Sequence, residues 1–243
     1  MMKRGILSSV SRGMIAAGCA VVIGMSLVAC SKSNDFNPGN QNVSGFMAFN
    51  LSDKNGIGIT LSGQNLVSQA LGYSVYTGAY LTVPSGVTAV RSYDATGNTT
   101  LAEKTDSLIV GKYYTLVVAG AAGTYRNLLV RDNYDNLTAS TSKAYIRFVN
   151  AIPDSAAPAV TITSGGQTVS TDPSARFGKI SEFVAVDSGV VRIAAANGGT
   201  IQGDVTVRAK ASDVYTVLLK GFPGATDTAR QVKLSVITNG NLR

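Results

Sequence analysis

The chain has 243 residues with no histidine, no tryptophan and two cysteines, and its 21 Lys and Arg against 14 Asp and Glu give a formal charge of +7. Without histidine, a Ser-His-Asp or Cys-His centre and every imidazole metal site are excluded. Lys3, Arg4 and Arg12 crowd the N-terminus, and the rest of the chain holds no Lys/Arg run to serve as a nucleic-acid footprint.

Met1 to Arg12 is a basic start, and Met14 to Leu27 is an almost unbroken apolar run, shorter than the roughly 20 residues of a membrane-spanning helix. Leu27-Val28-Ala29-Cys30 then resembles a bacterial lipobox. The expectation is a lipoprotein signal peptide over 1–29, removed on export, with Cys30 diacylated, palmitate-like chains holding it in a membrane. Export leaves 18 basic against 14 acidic residues, a mature charge of +4. With Cys19 gone and Cys30 acylated, no disulfide forms, so packing and strand pairing alone hold the fold.

Residues 30–41 are polar and rich in turn formers, and read as a flexible tether. Ser31 after the cysteine resembles the outer-membrane sorting rule. Ser33-Asn34-Asp35-Phe36 resembles the tether of surface-exported Bacteroidetes lipoproteins. The expected location is the outer membrane, on its periplasmic face or at the cell surface.

From Val43 onward apolar residues alternate with polar ones. Examples are Ile57, Ile59 and Leu61, then Val160 and Ile162, Val205 and Val207, and Val232, Leu234 and Val236. A period of two is a half-buried strand, and Gly, Asn, Asp and Ser clusters break the pattern at the spacing of a sandwich. The mature chain is expected to be all-β.

It also repeats itself. Phe46-Met47-Ala48-Phe49 is matched by Tyr145-Ile146-Arg147-Phe148, and Ser62-Gly63-Gln64 by Gly165-Gly166-Gln167. Tyr80 to Val87 is matched by Phe183 to Val190, and Tyr114 to Gly120 by Tyr215 to Gly221. The period is about a hundred residues, the size of an immunoglobulin-like sandwich. Two such domains are expected, 42–135 and 142–243, with the boundary in the Asp/Asn/Ser/Thr-rich stretch between. The paired Ser-Gly turns at 85–86 and 188–189 call for positive φ, and Tyr114 and Tyr215 suit a buried ring with a hydroxyl capping a loop.

Tyr145-Ile146-Arg147-Phe148-Val149-Asn150-Ala151-Ile152-Pro153-Asp154 resembles the opening strand and Pro-Asp turn of the domain of unknown function 4397 (DUF4397) family. Gly166-Gln167, Phe177-Gly178, Val186-Asp187-Ser188-Gly189 and Val214 to Val217 follow in the family's order, and the resemblance is denser over 144–240 than over 44–133. It implies Ig-like modules on secreted or lipid-anchored proteins and brings no catalytic residues.

Chemistry-bearing candidates are few. Asp132, Asn133, Asp135 and Asn136 could offer oxygens to Ca²⁺ but lack an EF-hand spacing. Glu103 and Glu182 are the only glutamates, and no phosphate-binding loop is present. Tyr73, Tyr76, Tyr80 and Tyr93 lie in a glycine-containing, loop-rich stretch and are the candidate contacts for sugar rings or a partner surface. Asp106-Ser107-Leu108, Asp154-Ser155-Ala156 and Asp227-Thr228-Ala229 resemble a bacterial O-glycosylation acceptor. Neither cofactor nor metal is expected, nor enzymatic activity. The expected role is structural or adhesive contact with cell-surface proteins or glycans, alongside the membrane as partner. The alternative is an accessory carbohydrate-binding lipoprotein of a nutrient-uptake system.

Overall fold

Alternating strands need a partner layer for their apolar face, and each repeat supplies its own. The computed structural model describes residues 42–199 and 201–242; the signal-type segment, Cys30 and the tether lie outside them. The first repeat forms β1 (Val43–Ser52), β2 (Gly56–Leu61), β3 (Gln64–Asn65), β4 (Leu71–Gly72) and β5 (Leu81–Pro84). It continues with β6 (Gly86–Asp94), β7 (Thr100–Leu108), β8 (Tyr113–Ala121) and β9 (Thr124–Asp132). After a 3-10 turn at Tyr134–Asn136 come β10 (Lys143–Asn150), β11 (Ala159–Ser164), β12 (Gln167–Asp172) and β13 (Val184–Asp187). The chain ends in β14 (Gly189–Gly198), β15 (Ile201–Ala209), β16 (Asp213–Lys220) and β17 (Lys233–Asn241).

Each half is a β-sandwich. One sheet of the first half runs β5-β1-β8-β9, the other β3-β2-β6-β7 with β4 also on β2. The second half repeats this as β13-β10-β16-β17 and β12-β11-β14-β15. Most pairings are antiparallel, but β1 runs parallel to β8, and β10 to β16. Phe46, Ala48, Tyr114, Leu116 and Val118 meet Ile57, Ile59, Val90 and Leu108 in the first core. Ile146, Phe148, Val217 and Leu219 meet Val160, Ile162, Val191 and Ile193 in the second. The all-β sandwich expectation holds. No helix among the described residues is long and apolar enough to cross a membrane.

The inner sheets are buried on both faces. β1 turns Phe46 and Ala48 into its own core, and Met47, Phe49 and Leu51 outward against Val149, Ala151 and Leu218 of the other half. Burial on both faces is why β8 and β16 read as continuous apolar runs rather than alternations. Each fully buried apolar side chain contributes roughly 1.5–3 kcal/mol, so this second core is a substantial stabilising surface.

The two halves run side by side in the same sense. Tyr113 and Tyr134 cluster with Val214, Leu242, Tyr145 and Phe183, which brings the starts of β8, β10 and β16 together. At the opposite end Arg230 reaches from the β16–β17 loop to Asp53 O and Asn55 Oδ1, both at 2.7 Å. Asn42, where the described chain begins, therefore lies at the same end as the start of β10. That end is called the entry end below.

The repeat correspondence shifts by one residue in the opening strands. Phe46 pairs with Tyr114, and Ile146 pairs with Tyr215, so Phe46 corresponds to Ile146 rather than to Tyr145. A slip of one exchanges the faces of a strand. Tyr145 accordingly points to the junction, and Arg147 corresponds to Met47. The aromatic likeness of Phe46 and Tyr145 conceals this, because the inner strands are apolar on both faces and lack the alternation that sets register.

Candidate functional site

The hydroxyls of Tyr114 and Tyr215 do cap loops. Tyr114 Oη accepts from Ile109 N at 2.9 Å, and Tyr215 Oη from Lys210 N at 3.1 Å, each five residues upstream. Gly86 and Gly189 have φ of 114° and 124°, as their hairpin turns require. The matched positions that these four residues occupy are structural.

The four candidate tyrosines do not share one surface. Tyr76 stacks on Phe49 with centroids 4.9 Å apart and joins the core between the halves. Tyr73 packs on Phe222 of the second half beneath the Arg230 guanidinium, which lies 4.8 Å from its ring. Burial raises its phenol pKa, and Arg230 partly offsets the effect. Tyr93 alone faces outward, its ring lying over Gly58, where any Cβ would collide with it, and beside Arg91 at 4.9 Å. Tyr80 belongs to the centre that sequence reasoning missed.

That centre is Arg147. Its side chain is buried at the junction, with Nη1 at 2.5 Å from Asp132 Oδ1. Nε donates to Thr216 Oγ1 at 3.0 Å and Nη2 to Thr115 Oγ1 at 3.1 Å. The Phe183 ring stacks on the guanidinium at 4.5 Å. Asp132 Oδ2 accepts from Thr115 Oγ1 and Tyr80 Oη, both at 2.7 Å. Tyr80 and Tyr134 share a hydrogen bond of 2.5 Å, and Asn239 Nδ2 donates to Tyr80 Oη at 3.3 Å. Burial alone would lower the Arg147 pKa, but Asp132, Tyr80 and Tyr134 outweigh it and hold the charge. Burial pushes both phenols up, and Asp132 raises them further.

The repeat explains how the site is built. Thr115 and Thr216 are corresponding residues, one from each half, and they flank the same guanidinium. Tyr80 and Phe183 correspond as well, through the matched strands β5 and β13. The symmetry breaks at the charges, where Arg147 answers Met47. By register Gly240 stands where Asp132 does, and Asn239, the bulged residue beside it, accepts from Thr216 Oγ1 as Asp132 accepts from Thr115 Oγ1. Arg147 in an apolar strand and Asp132 before a linker carry no sequence signal that joins them.

The two carboxylates among the candidate calcium ligands are otherwise engaged. Asp132 faces Arg147, and Asp135 pairs with Lys112 and Arg131, each at 2.8 Å, which lowers its pKa. Among the described residues no group of three or more His, Cys, Asp or Glu is placed to hold a metal. Ser107, Ser155 and Thr228 are exposed. Between β3 and the β5 edge lies a cleft of about 260 Å³, floored by Leu61, Leu66 and Val83 and rimmed by Gln64, Asn65 and Thr82.

Residues 49–157 match the family described as Domain of unknown function (DUF4397). The matched segment runs from β1 through the first sandwich to the turn after β10, so it contains both Asp132 and Arg147. It falls mainly on the first repeat, although the motif resemblance is denser in the second. No curated protein matches the chain. A solved structure of a candidate cell adhesion protein from Bacteroides uniformis is similar over 82% of this chain and 99% of its own, at 8% identity and a TM-score of 0.22. A likeness at that score carries no structural or functional argument.

Proposed function

We propose that the protein is a lipid-anchored outer-membrane module that presents two joined β-sandwiches for structural or adhesive contact with surface proteins or glycans. The observation that carries this reading is the junction. An apolar second core and a buried ion pair lock the sandwiches together, which suits a rigid spacer. The lipobox at Leu27 to Cys30 supports the anchor. Contact rather than catalysis is the proposed mode of action, because the strongly perturbed phenols at 80 and 134 are spent on Asp132 and Arg147.

Tyr93 favours a second reading, that of an accessory carbohydrate-binding lipoprotein. Its ring lies on the outer face of the β2-β6-β7 sheet, where Thr60, Arg91, Glu103 and Thr105 line a depression of about 320 Å³. An aromatic ring beside polar groups suits a sugar. A glycan array on the mature protein separates the two readings, with Tyr93→Ala as the control variant. Turnover of pooled polysaccharides, peptides or esters that vanishes on changing one Asp or Glu, with the fold intact, would overturn both.

A further inference from the structure

The entry end carries apolar residues that the fold does not cover. Six large apolar side chains among the described residues are exposed, and four of them lie at this end: Val87 (78%), Val190 (59%), Val110 (48%) and Ile109 (47%). Three of these surround the point where the described chain begins. Ser85 N donates to Asn42 O at 3.0 Å, Gly111 N to Val43 O at 2.8 Å, and Ser44 Oγ to Ile109 O at 2.8 Å. The turns that present exposed Pro84, Val87, Ile109 and Val110 are thus clamped onto the first residues of β1. Val190 follows the matching Ser-Gly turn of the second half, opposite Arg208 in the β14–β15 ladder, with Lys210 just beyond. Both cations are exposed.

From Asn42 the chain leads back twelve residues to Cys30, a reach of roughly 40 Å at full extension. We propose that the entry end is a bilayer-contact surface. Pro84, Val87, Ile109 and Val110 seat among the headgroups and upper acyl chains of the membrane that holds the anchor, and Arg208 and Lys210 meet lipid phosphates beside Val190. This rests on the lipid-anchor reading. A short tether raises the local lipid concentration, so a few apolar tips suffice where they would not bind from solution. The opposite end, with the β6–β7 and β8–β9 turns, then faces away from the membrane.

The test uses the acylated mature protein in vesicles of phosphatidylethanolamine and phosphatidylglycerol. Val110→Cys carries an environment-sensitive fluorophore, with Thr96→Cys at the far end as control; Cys30 is acylated, so each label is unique. Lipids brominated near the headgroup should quench the probe at 110 at least about threefold more than the probe at 96. Val87→Asp with Ile109→Asp should abolish that difference, and circular dichroism checks that the fold survives these surface changes. Equal quenching at both positions in a vesicle-bound, acylated protein overturns the contact and leaves the anchor standing. The mass of the N-terminal peptide reads acylation separately. A chain that lacks acyl groups and stays off the vesicles overturns both.

Discussion

Arg147 Nη1 and Asp132 Oδ1 meet at 2.5 Å, an ion pair that joins the second sandwich to the first. Both ions leave water to form it, and the cost is met only because Thr115, Thr216, Tyr80 and Phe183 complete their surroundings. Such a pair is better at selecting one arrangement of the sandwiches than at adding stability.

Breaking one partner should therefore cost more than replacing both. Arg147→Met, or Asp132→Asn alone, strands a buried polar group and should cost about 3–5 kcal/mol in urea unfolding. The double variant Arg147→Met with Asp132→Asn copies the residues that the opposite repeat uses, Met47 and Asn239. It should cost less than the sum of the singles by at least about 1 kcal/mol. Additive losses would show that the pair is not coupled.

Gly120, next to last in β8, and Gly221, just after β16, have φ of 132° and 113°, and a Cβ there would collide with Thr124 O and Gln231 O. Neither obstacle is a movable side chain. Alanine at either position should cost roughly 2–4 kcal/mol, from strain and a displaced ladder. Gly63→Ala, at φ of 86° but in open space, should cost only about 1 kcal/mol. Thermal unfolding of the three variants checks the ranking.

Alkaline pH should weaken the fold through its buried phenols before it reaches the guanidinium groups. Burial pushes Tyr215 up to about 12, and it raises Tyr80 and Tyr134 as well. These phenols stay protonated in the folded protein while unfolded tyrosine ionises near 10, so the unfolded state sheds protons first. The phenols add no pH dependence between neutral pH and about 10, and stability should fall as the pH rises from there toward 12. Phenolate absorbance should show tyrosines that ionise only on unfolding. Tyr215→Phe should reduce the slope and cost about 1–3 kcal/mol at neutral pH, through the unpaired Lys210 N–H.

Cys30→Ala should release the protein from the membrane fraction or halt its processing, as read by fractionation and N-terminal mass. Unchanged attachment with unchanged mass would remove the anchor from the account.

Sequence alone determined the local and periodic features. Ile57, Ile59 and Leu61, or Val160 and Ile162, show their sheet face because one side meets a core and the other meets water. The Ser-Gly turns and the two loop-capping tyrosines were equally legible, since positive φ and a five-residue hydroxyl contact are short-range demands. Tertiary structure decided everything that depends on the second face of the inner sheets. Phe46 resembles Tyr145 in sequence, yet it corresponds to Ile146, because register in a strand buried on both sides comes from its neighbours. Tyr80 reads as a loop aromatic, yet it is half-buried at the junction and donates to Asp132. Arg147 reads only as one residue of an opening strand, and its surroundings come from residues 80 to 239, brought together only when two complete sandwiches dock. A pattern of period two records which side of a strand is apolar, and it cannot record what another domain will place against that side.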